Sequence, residues 1–103
     1  MEFRHLRYFL AVAEELHFAR AAERLHIEQS PLSRAIRELE EELGAQLFVR
    51  TSRSTRLTLA GKLLMENAPR VLLALDQARE SVQAAAHGLH GRLRAALSDG
   101  ITP

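Results

Sequence analysis

The feature that most constrains the fold is an apolar stripe in the segment from residue 29 to residue 43. Its aliphatic side chains recur at spacings of four, three and four residues, which places them on one face of a helix: Leu32, Ile36, Leu39 and Leu43. Because this face must pack inward, the opposite face of the helix is fixed as the outer one. The pattern therefore predicts a mainly α protein whose core is built around this helix.

The outer face of this helix carries hydrogen-bonding and basic side chains. They occupy its first two turns, and no acidic residue interrupts them: Gln29, Ser30, Ser33, Arg34 and Arg37. Pro31, in the same turns, is expected to shape this contact surface. Gln, Ser and Arg side chains hydrogen-bond base edges and phosphates in the major groove of DNA, and the positive end of a helix dipole favours phosphate. The pattern indicates a helix that enters DNA by its N-terminal end. The alternative is an ordinary surface helix whose polar face is only solvated.

A shorter helix precedes it, with a face of apolar and small residues that allows two helices to approach closely: Phe18, Ala21, Ala22 and Leu25. The connection has only three or four residues, with Ile27 as its apolar residue. Pro31 falls in the first turn of the second helix, where its missing N–H and fixed φ are tolerated. Together these features predict a helix-turn-helix over about residues 18–37, preceded by a first helix over residues 3–16.

Three consecutive strings carry a family resemblance: AAERLHIEQSPLSRAI, then LEEELGAQLFVRTSR, then LTLAG. In this order they closely resemble the N-terminal domain of LysR-type transcriptional regulators, over about residues 1 to 90. The resemblance implies a winged helix-turn-helix of three helices and a two-stranded wing. It also implies binding to an interrupted inverted-repeat operator in double-stranded DNA as a dimer or tetramer. A small-molecule effector would bind to a separate domain that follows. A winged-helix regulator of the molybdate-responsive type shares the general plan and is the alternative within this class.

Two positions depart from the pattern that the family usually shows. The hydroxyl residues that normally cap the second helix are replaced by His17 and Ala19. A lost hydroxyl cap costs about 0.5–2 kcal/mol, so this helix end is expected to be weaker or to be capped in another way. Glu28 stands where the family favours a small or hydroxyl residue, and its charge would repel a nearby phosphate. No DNA contact is therefore assigned to Glu28.

The segment FVRTSRSTRLT predicts a hairpin, or wing, with a polar tip. The predicted DNA-binding residues of the wing are Arg50, Thr51 and Arg53. The resemblance implies that Arg53 reaches into the minor groove and that Arg50 lies near the DNA backbone. A narrow minor groove concentrates negative potential, which favours an inserted arginine. A solvated basic loop is the alternative.

A long helix is predicted from residue 59 to about residue 87, with Thr58 as its cap. Apolar and small residues recur alternately three and four positions apart, as in a heptad seam, and the predicted dimer interface consists of Leu64, Ala68, Val71, Leu75, Ala78 and Val82. A 29-residue helix is about 43 Å long, more than a three-helix core can cover, so it needs a partner or must fold back on its own domain. Pro69 is expected to bend this helix or to interrupt one backbone hydrogen bond.

Three regions follow from these patterns: a DNA-binding domain at 1–58, a linker helix at 59–88, and at 89–103 a hinge with the first strand of a missing effector domain. The 103 residues, 47% of them hydrophobic, suffice for one modest core. The absence of Cys excludes disulfides and thiol catalysis, and neither a metal site nor a cofactor is expected.

The net charge of +1 does not by itself indicate a nucleic-acid binder, but the basic residues cluster in 30–37 and 50–62, while the acids lie elsewhere. No apolar run spans a bilayer, so a cytoplasmic protein is expected. Scattered histidines and the absence of a phosphate loop argue against an enzyme. A coiled-coil module that binds protein remains the alternative from another functional class.

Overall fold

The computed structural model describes the backbone of residues 1–98 and the side chains of residues 1–88. Its elements are α1 (Phe3–Glu15), α2 (Phe18–Leu25), α3 (Gln29–Leu43), β1 (Phe48–Arg50), β2 (Thr55–Leu57) and α4 (Leu59–Ser98). The chain divides into two compact units, residues 1–72 and the residues from 73 onward. The first unit is a winged helix-turn-helix, as the sequence predicts.

The core of the first unit lies between α1, α2, α3 and the start of the wing. Its largest fully buried side chains are Leu6, Phe9, Val12, Leu32, Leu39 and Leu47. The ring of Phe48 packs against two others, with centroid distances of 5.4 Å to Phe9 and 5.8 Å to Phe18. Such tilted and edge-on pairs are favoured over stacked ones. Phe48, the first residue of β1, thereby joins the wing to the helical core.

The inward stripe of α3 is confirmed for three of its four members, because Leu32, Ile36 and Leu39 are at most 3% exposed. The prediction is wrong for Leu43, which is 42% exposed. Leu43 is the last residue of α3, and Gly44 then leaves the helix in the left-handed conformation with φ of 68°. The apolar contacts of α3 therefore end one turn earlier than the spacing alone indicates.

The wing is an antiparallel hairpin in which Phe48 pairs with Leu57 and Arg50 pairs with Thr55. It is short, with three residues in each strand. Its base is closed by the Thr58 N–H, which donates to the Leu47 carbonyl at 3.0 Å. The hydroxyl of Thr58 then accepts from the Gly61 N–H at 3.0 Å, as expected for the cap of α4.

The N-terminal part of α4 packs against the core of its own unit. A Cβ added to Gly61 would lie 2.2 Å from the Leu47 carbonyl oxygen, so only glycine permits this approach. Leu64 is half-buried against the core, and Ala68 is completely buried. The assignment of Ala68 to a dimer interface is therefore wrong, because its own chain already covers it.

The C-terminal part of α4 is longer than predicted. The helix continues without a break through Pro69, Gly88 and Gly91 to Ser98, so a helix end near residue 88 and a strand beyond Gly91 are both wrong. A glycine inside a helix costs only about 1 kcal/mol, and the flanking Leu, Arg and Ala residues favour helix. Residues 99–103 of the predicted hinge lie outside the described residues. No helix among the described residues combines the length and the apolar character that a membrane span requires.

Candidate nucleic-acid interface

The first helix of the helix-turn-helix, α2, has a cap that is not a hydroxyl, which is one of the two outcomes expected from the sequence. The Arg20 N–H donates to Nδ1 of His17 at 3.1 Å, so the imidazole replaces the missing hydroxyl at the start of α2. In the turn that follows α2, His26 adopts the left-handed conformation and the Ile27 N–H donates to the Ala22 carbonyl at 3.0 Å. This turn directs the chain into α3 at Gln29, where the recognition helix was predicted to start.

The predicted major-groove side chains all lie on the surface. Ser33 is partly buried, and the others are exposed: Gln29, Ser30, Pro31, Arg34 and Arg37. Among the described residues, no side-chain hydrogen bond or ion pair involves Gln29, Ser30, Arg34 or Arg37. Glu28, the residue before the helix, does not use its side chain as a cap. The outer face of α3 therefore presents donors and acceptors that the fold itself does not use.

Arg50 is held quite differently. Its guanidinium lies over the ring of Phe18, 3.3 Å from the centroid, and donates to the Ser33 hydroxyl at 3.3 Å. Burial lowers the pKa of Arg50 below its ordinary value, and the nearby charge of Arg37 lowers it further. Arg50 thus connects the wing to both α2 and α3 and stays charged at neutral pH.

The tip of the wing is organised by Thr51. Its N–H donates to the Ser54 carbonyl at 2.8 Å, while its hydroxyl accepts from the Ser54 N–H at 3.0 Å and from the Arg53 N–H at 3.3 Å. These bonds close the turn locally, as Thr hydroxyls commonly do. The side chain of Arg53 projects from this turn and is exposed.

Three neighbouring surface depressions bring the predicted site residues together. One is lined by Gln29, Ser30, Ser33, Arg34 and Arg37. A second shares Ser33 and Arg37 with the first and adds Arg50. A third shares Gln29 and Arg50 with these and adds Thr51 and Arg53. The outer face of α3 and the wing therefore form one continuous surface, which we call the basic face.

Three acidic side chains, those of Glu14, Glu15 and Glu38, contact partners within the protein. Arg24 binds Glu14 at 2.6 Å and Glu15 at 3.3 Å, and the hydrogen bond and charge of Glu14 raise the pKa of Arg24. Nε2 of His5, a buried residue of α1, lies 3.2 Å from the Glu38 carboxylate. Exposed ion pairs such as those of Arg24 contribute little stability.

Two arginines of α1, Arg4 and Arg7, differ in their position relative to the basic face. Arg4 lines a depression with Pro31 and Arg34, at the edge of the basic face, whereas Arg7 does not. Arg4 also lies 3.3 Å from the Glu2 carboxylate. Of the two, Arg4 is therefore the one that lies beside the outer face of α3.

Sequence reasoning missed Phe18 as the platform for Arg50, and it missed Glu40, whose carboxylate accepts hydrogen bonds from the start of the wing. Both residues look like ordinary core or surface positions in the sequence, and only the fold brings their partners to them. Among the described residues, no three His, Asp or Glu side chains are grouped so that they could hold a metal ion.

Comparison with known proteins gives this architecture its family. The family model described as the bacterial regulatory helix-turn-helix protein, lysR family, matches residues 3–62. The chain belongs to the LysR family. The matched segment includes the whole of the basic face and ends in the first turn of α4.

Curated members of the LysR family match along most of this chain. BudR of Klebsiella aerogenes, an HTH-type transcriptional regulator, is 50% identical over 102 residues, which are 99% of this chain and 68% of BudR. XapR of Escherichia coli K12 is 54% identical over 88 residues, covering 85% of this chain and 30% of XapR. The chain thus spans about a third of XapR, and likewise 32% of another E. coli relative, YnfL.

Solved LysR structures show the same fold. The chain matches the CbnR DNA-binding domain in a crystal structure with DNA, with a TM-score of 0.81 and 44% identity, over 84% of this chain and 99% of that one. It also matches the BenM DNA-binding domain bound to catB site 1 DNA, with a TM-score of 0.78 and 48% identity, over 84% and 96% of the two chains. At 44% and 48% identity, these matches reflect a related sequence as well as a shared fold.

Proposed function

We propose that this chain is the DNA-binding part of a sequence-specific transcriptional regulator. The observation that carries this proposal is the basic face, on which all predicted DNA-binding residues of α3 and of the wing except Pro31 meet in one surface. Membership of the LysR family and the likeness to two domains crystallised with DNA support it. Because these relatives are transcriptional regulators, regulation and not catalysis is the activity proposed.

In this proposal the two parts of the basic face have different roles. Gln29, Ser30, Ser33 and Arg34 read base edges in the major groove, and Pro31 shapes the surface that approaches them. Arg53 enters the adjacent minor groove from the wing. Exposed, uncommitted donors on α3 suit base readout, whereas Arg inserted into a narrow groove responds to its shape. Arg37 and Arg50 add positive charge near the DNA backbone.

The first experiment selects DNA sequences from a random pool with the purified chain and then measures affinity against salt. A DNA reader enriches a defined motif, and its affinity falls steeply as salt rises because bound phosphates release counterions. The alternative, a module that binds protein through a coiled coil, predicts no enriched motif. Failure to enrich any sequence, with the protein shown to be folded, would contradict the proposal.

A second part of the proposal concerns assembly. We infer that α4 joins two copies through Val71, Leu75, Ala78 and Val82, so that two basic faces bind an interrupted inverted repeat. Val71 and Val82 are 43% and 69% exposed in the single chain, so both side chains are accessible to a second copy. In this proposal the protein forms a dimer or tetramer and responds to a small-molecule effector bound by a separate domain.

Sedimentation of Leu75→Asp tests this assembly. A buried unpaired charge should separate the two copies, and loss of bivalency should lower affinity for a full operator by about 10²- to 10⁴-fold. Leu73→Asp, the same change outside the predicted seam, serves as the control and should remain dimeric. A Leu75→Asp protein that is still dimeric would remove α4 from the interface.

A further inference from the structure

The Glu40 carboxylate lies at a place where its charge is unfavourable for binding DNA. Glu40 lines the same depression as Ser33, Arg37 and Arg50 on the basic face. A negative side chain there weakens the positive potential that attracts phosphate. Its presence calls for a role within the protein itself.

The hydrogen bonds of Glu40 indicate that role. Oε2 of Glu40 accepts from the Leu47 N–H at 2.7 Å and from the Phe48 N–H at 3.4 Å. Leu47 and Phe48 are 1% and 5% exposed, so water does not easily replace this acceptor. A buried backbone N–H needs a partner, and a charged acceptor makes a stronger bond than a neutral one. Oε2 therefore anchors the segment that starts the wing.

Glu40 does not serve chiefly as an ion-pair partner. Among the described residues, its carboxylate forms no salt bridge with Arg37 or Arg50. Its charge raises the pKa of Arg50 only as the smallest of three influences, after burial and the charge of Arg37, which both lower it. The Glu40 carboxylate thus acts mainly as a hydrogen-bond acceptor for the backbone of residues 47 and 48.

The wing is consequently attached to α3 at two separate points. At its base, Glu40 holds Leu47 and Phe48, and at the far end of β1 Arg50 donates to Ser33. Two attachments along one three-residue strand fix both the position and the direction of the strand relative to α3. The tip that carries Arg53 continues directly from that strand.

We propose that Glu40 is a positioning residue for DNA recognition, which sets where the wing presents Arg53 relative to Arg34 on α3. Glu40 itself touches no base. This inference rests on the proposed function, because it assigns Glu40 a role in the same basic face. It predicts that Glu40 and Arg53, which are far apart in sequence and make no hydrogen bond to each other, act as a coupled pair in DNA binding.

The test is a double-mutant cycle between Glu40→Ala and Arg53→Ala. Affinity is measured on the selected motif with A·T-rich and with G·C-rich flanks. In the wild-type background Arg53→Ala should weaken binding about tenfold on A·T-rich flanks. In the Glu40→Ala background the same change should cost less than about threefold, because a displaced wing no longer delivers Arg53 into the groove.

Three further variants test whether the effect of Glu40 comes from the position of its acceptor oxygen, from its charge or from a loss of folding. Glu41→Ala removes the same charge from the neighbouring exposed residue, and the tenfold Arg53 effect should persist in that background. Glu40→Gln keeps an acceptor oxygen without the charge and should restore most of the coupling. Glu40→Asp keeps the charge but withdraws the oxygen by one methylene, so it should resemble Glu40→Ala. If Glu40→Ala does not fold, the Gln and Asp variants decide the question.

The outcomes distinguish this inference from the proposed function. If Arg53→Ala costs the same in the Glu40→Ala and wild-type backgrounds, Glu40 only stabilises the fold and the inference is overturned. If Arg53→Ala has no effect in the wild type, the minor-groove role of the wing fails. Hydrogen exchange of the free protein then decides: faster exchange at 51–54 in Glu40→Ala, with Glu41→Ala unchanged, supports positioning, and unchanged exchange refutes it.

Discussion

The two halves of the basic face are held in place in opposite ways. On α3, Gln29, Ser30 and Arg34 make no side-chain hydrogen bonds within the described part of the protein, and Ser33 accepts one, from Arg50. The helix is secured on its inner face by Leu32, Ile36 and Leu39. In the wing, the polar groups of Arg50 and Thr51 form hydrogen bonds within the protein itself. The helix α3 is thus held by apolar contacts on its inner side, and the wing is held by polar contacts on the basic face.

The difference follows from the size of the two elements. A 15-residue helix buries a full apolar stripe and hydrogen-bonds its own backbone, so its outer face is left for a ligand. A two-stranded hairpin of three residues per strand is marginal in water by itself. It therefore needs an aromatic platform under Arg50, a side chain that closes its turn and an acceptor at its base. Side chains that shape the wing are accordingly less available to contact DNA directly.

The largest effect is expected from removing the apolar support of α3. Leu39 is completely buried, so Leu39→Ala should lower the free energy of unfolding by about 2–5 kcal/mol. Urea denaturation measures this change. Leu43→Ala, at the exposed end of the same stripe, should alter stability by only about 0.5 kcal/mol. Equal losses in the two variants would show that α3 is not secured from its back in the way described.

The second prediction concerns a side chain that the fold does not use. Arg34→Ala should cost about 1–3 kcal/mol in binding to the selected motif and much less on random DNA, because a bidentate contact to a base is lost. Its free energy of unfolding should stay within about 0.5 kcal/mol of the wild type, since Arg34 is exposed. Equal losses of affinity on both DNAs would make Arg34 a phosphate contact.

Much of the difference between α3 and the wing could be predicted from the sequence, and the exceptions have physical causes. The apolar period identified the back of α3, and Gly44 and Thr58 marked helix boundaries because each has a local structural reason to be there. Glu40 was not identified, since within an acidic run it resembles a solvated residue. Its partners, the N–H groups of Leu47 and Phe48, reach it only after the chain has turned at Gly44.

The missing hydroxyl at residue 17 left the start of α2 either weaker or capped in another way, and the imidazole of His17 supplies that cap by accepting from the Arg20 N–H. Two other predictions failed because a local signal was overridden. Gly88 and Gly91 predicted the end of α4, but a glycine only lowers helix propensity and does not forbid helix. Spacing also placed Ala68 in a dimer seam, although the core of its own unit had already buried it.

The third prediction tests the polar support of the wing tip. Thr51→Val keeps the shape of the side chain but removes the hydroxyl that accepts from the Arg53 and Ser54 N–H groups. The loss should destabilise the turn by about 0.5–1.5 kcal/mol, measured by amide hydrogen exchange at residues 53 and 54. Thr51→Ser retains the hydroxyl and should leave exchange nearly unchanged. If both variants loosen the tip equally, the hydroxyl is not what closes the turn.

The smallest effect is expected when one arginine in each half of the basic face is replaced by lysine. Arg50→Lys keeps the positive charge but loses the planar guanidinium that lies over Phe18 and reaches Ser33. It should lower the free energy of unfolding by about 0.5–1 kcal/mol, the usual strength of a partly exposed cation–π contact. Arg34→Lys makes the same change on α3, where no aromatic ring or hydroxyl holds the side chain, and its stability should equal that of the wild type.

The two lysine variants should therefore differ both in their stability, measured by urea denaturation, and in the part of DNA recognition that they lose. Arg34→Lys should lose preference for the selected motif, since an ammonium cannot replace a bidentate fork on a base. Arg50→Lys should keep its affinity for random DNA, because its charge is unchanged, and lose mainly the preference for A·T-rich flanks that the wing supplies. If Arg34→Lys is the less stable protein, or if Arg50→Lys loses motif preference alone, the roles of the two halves are reversed.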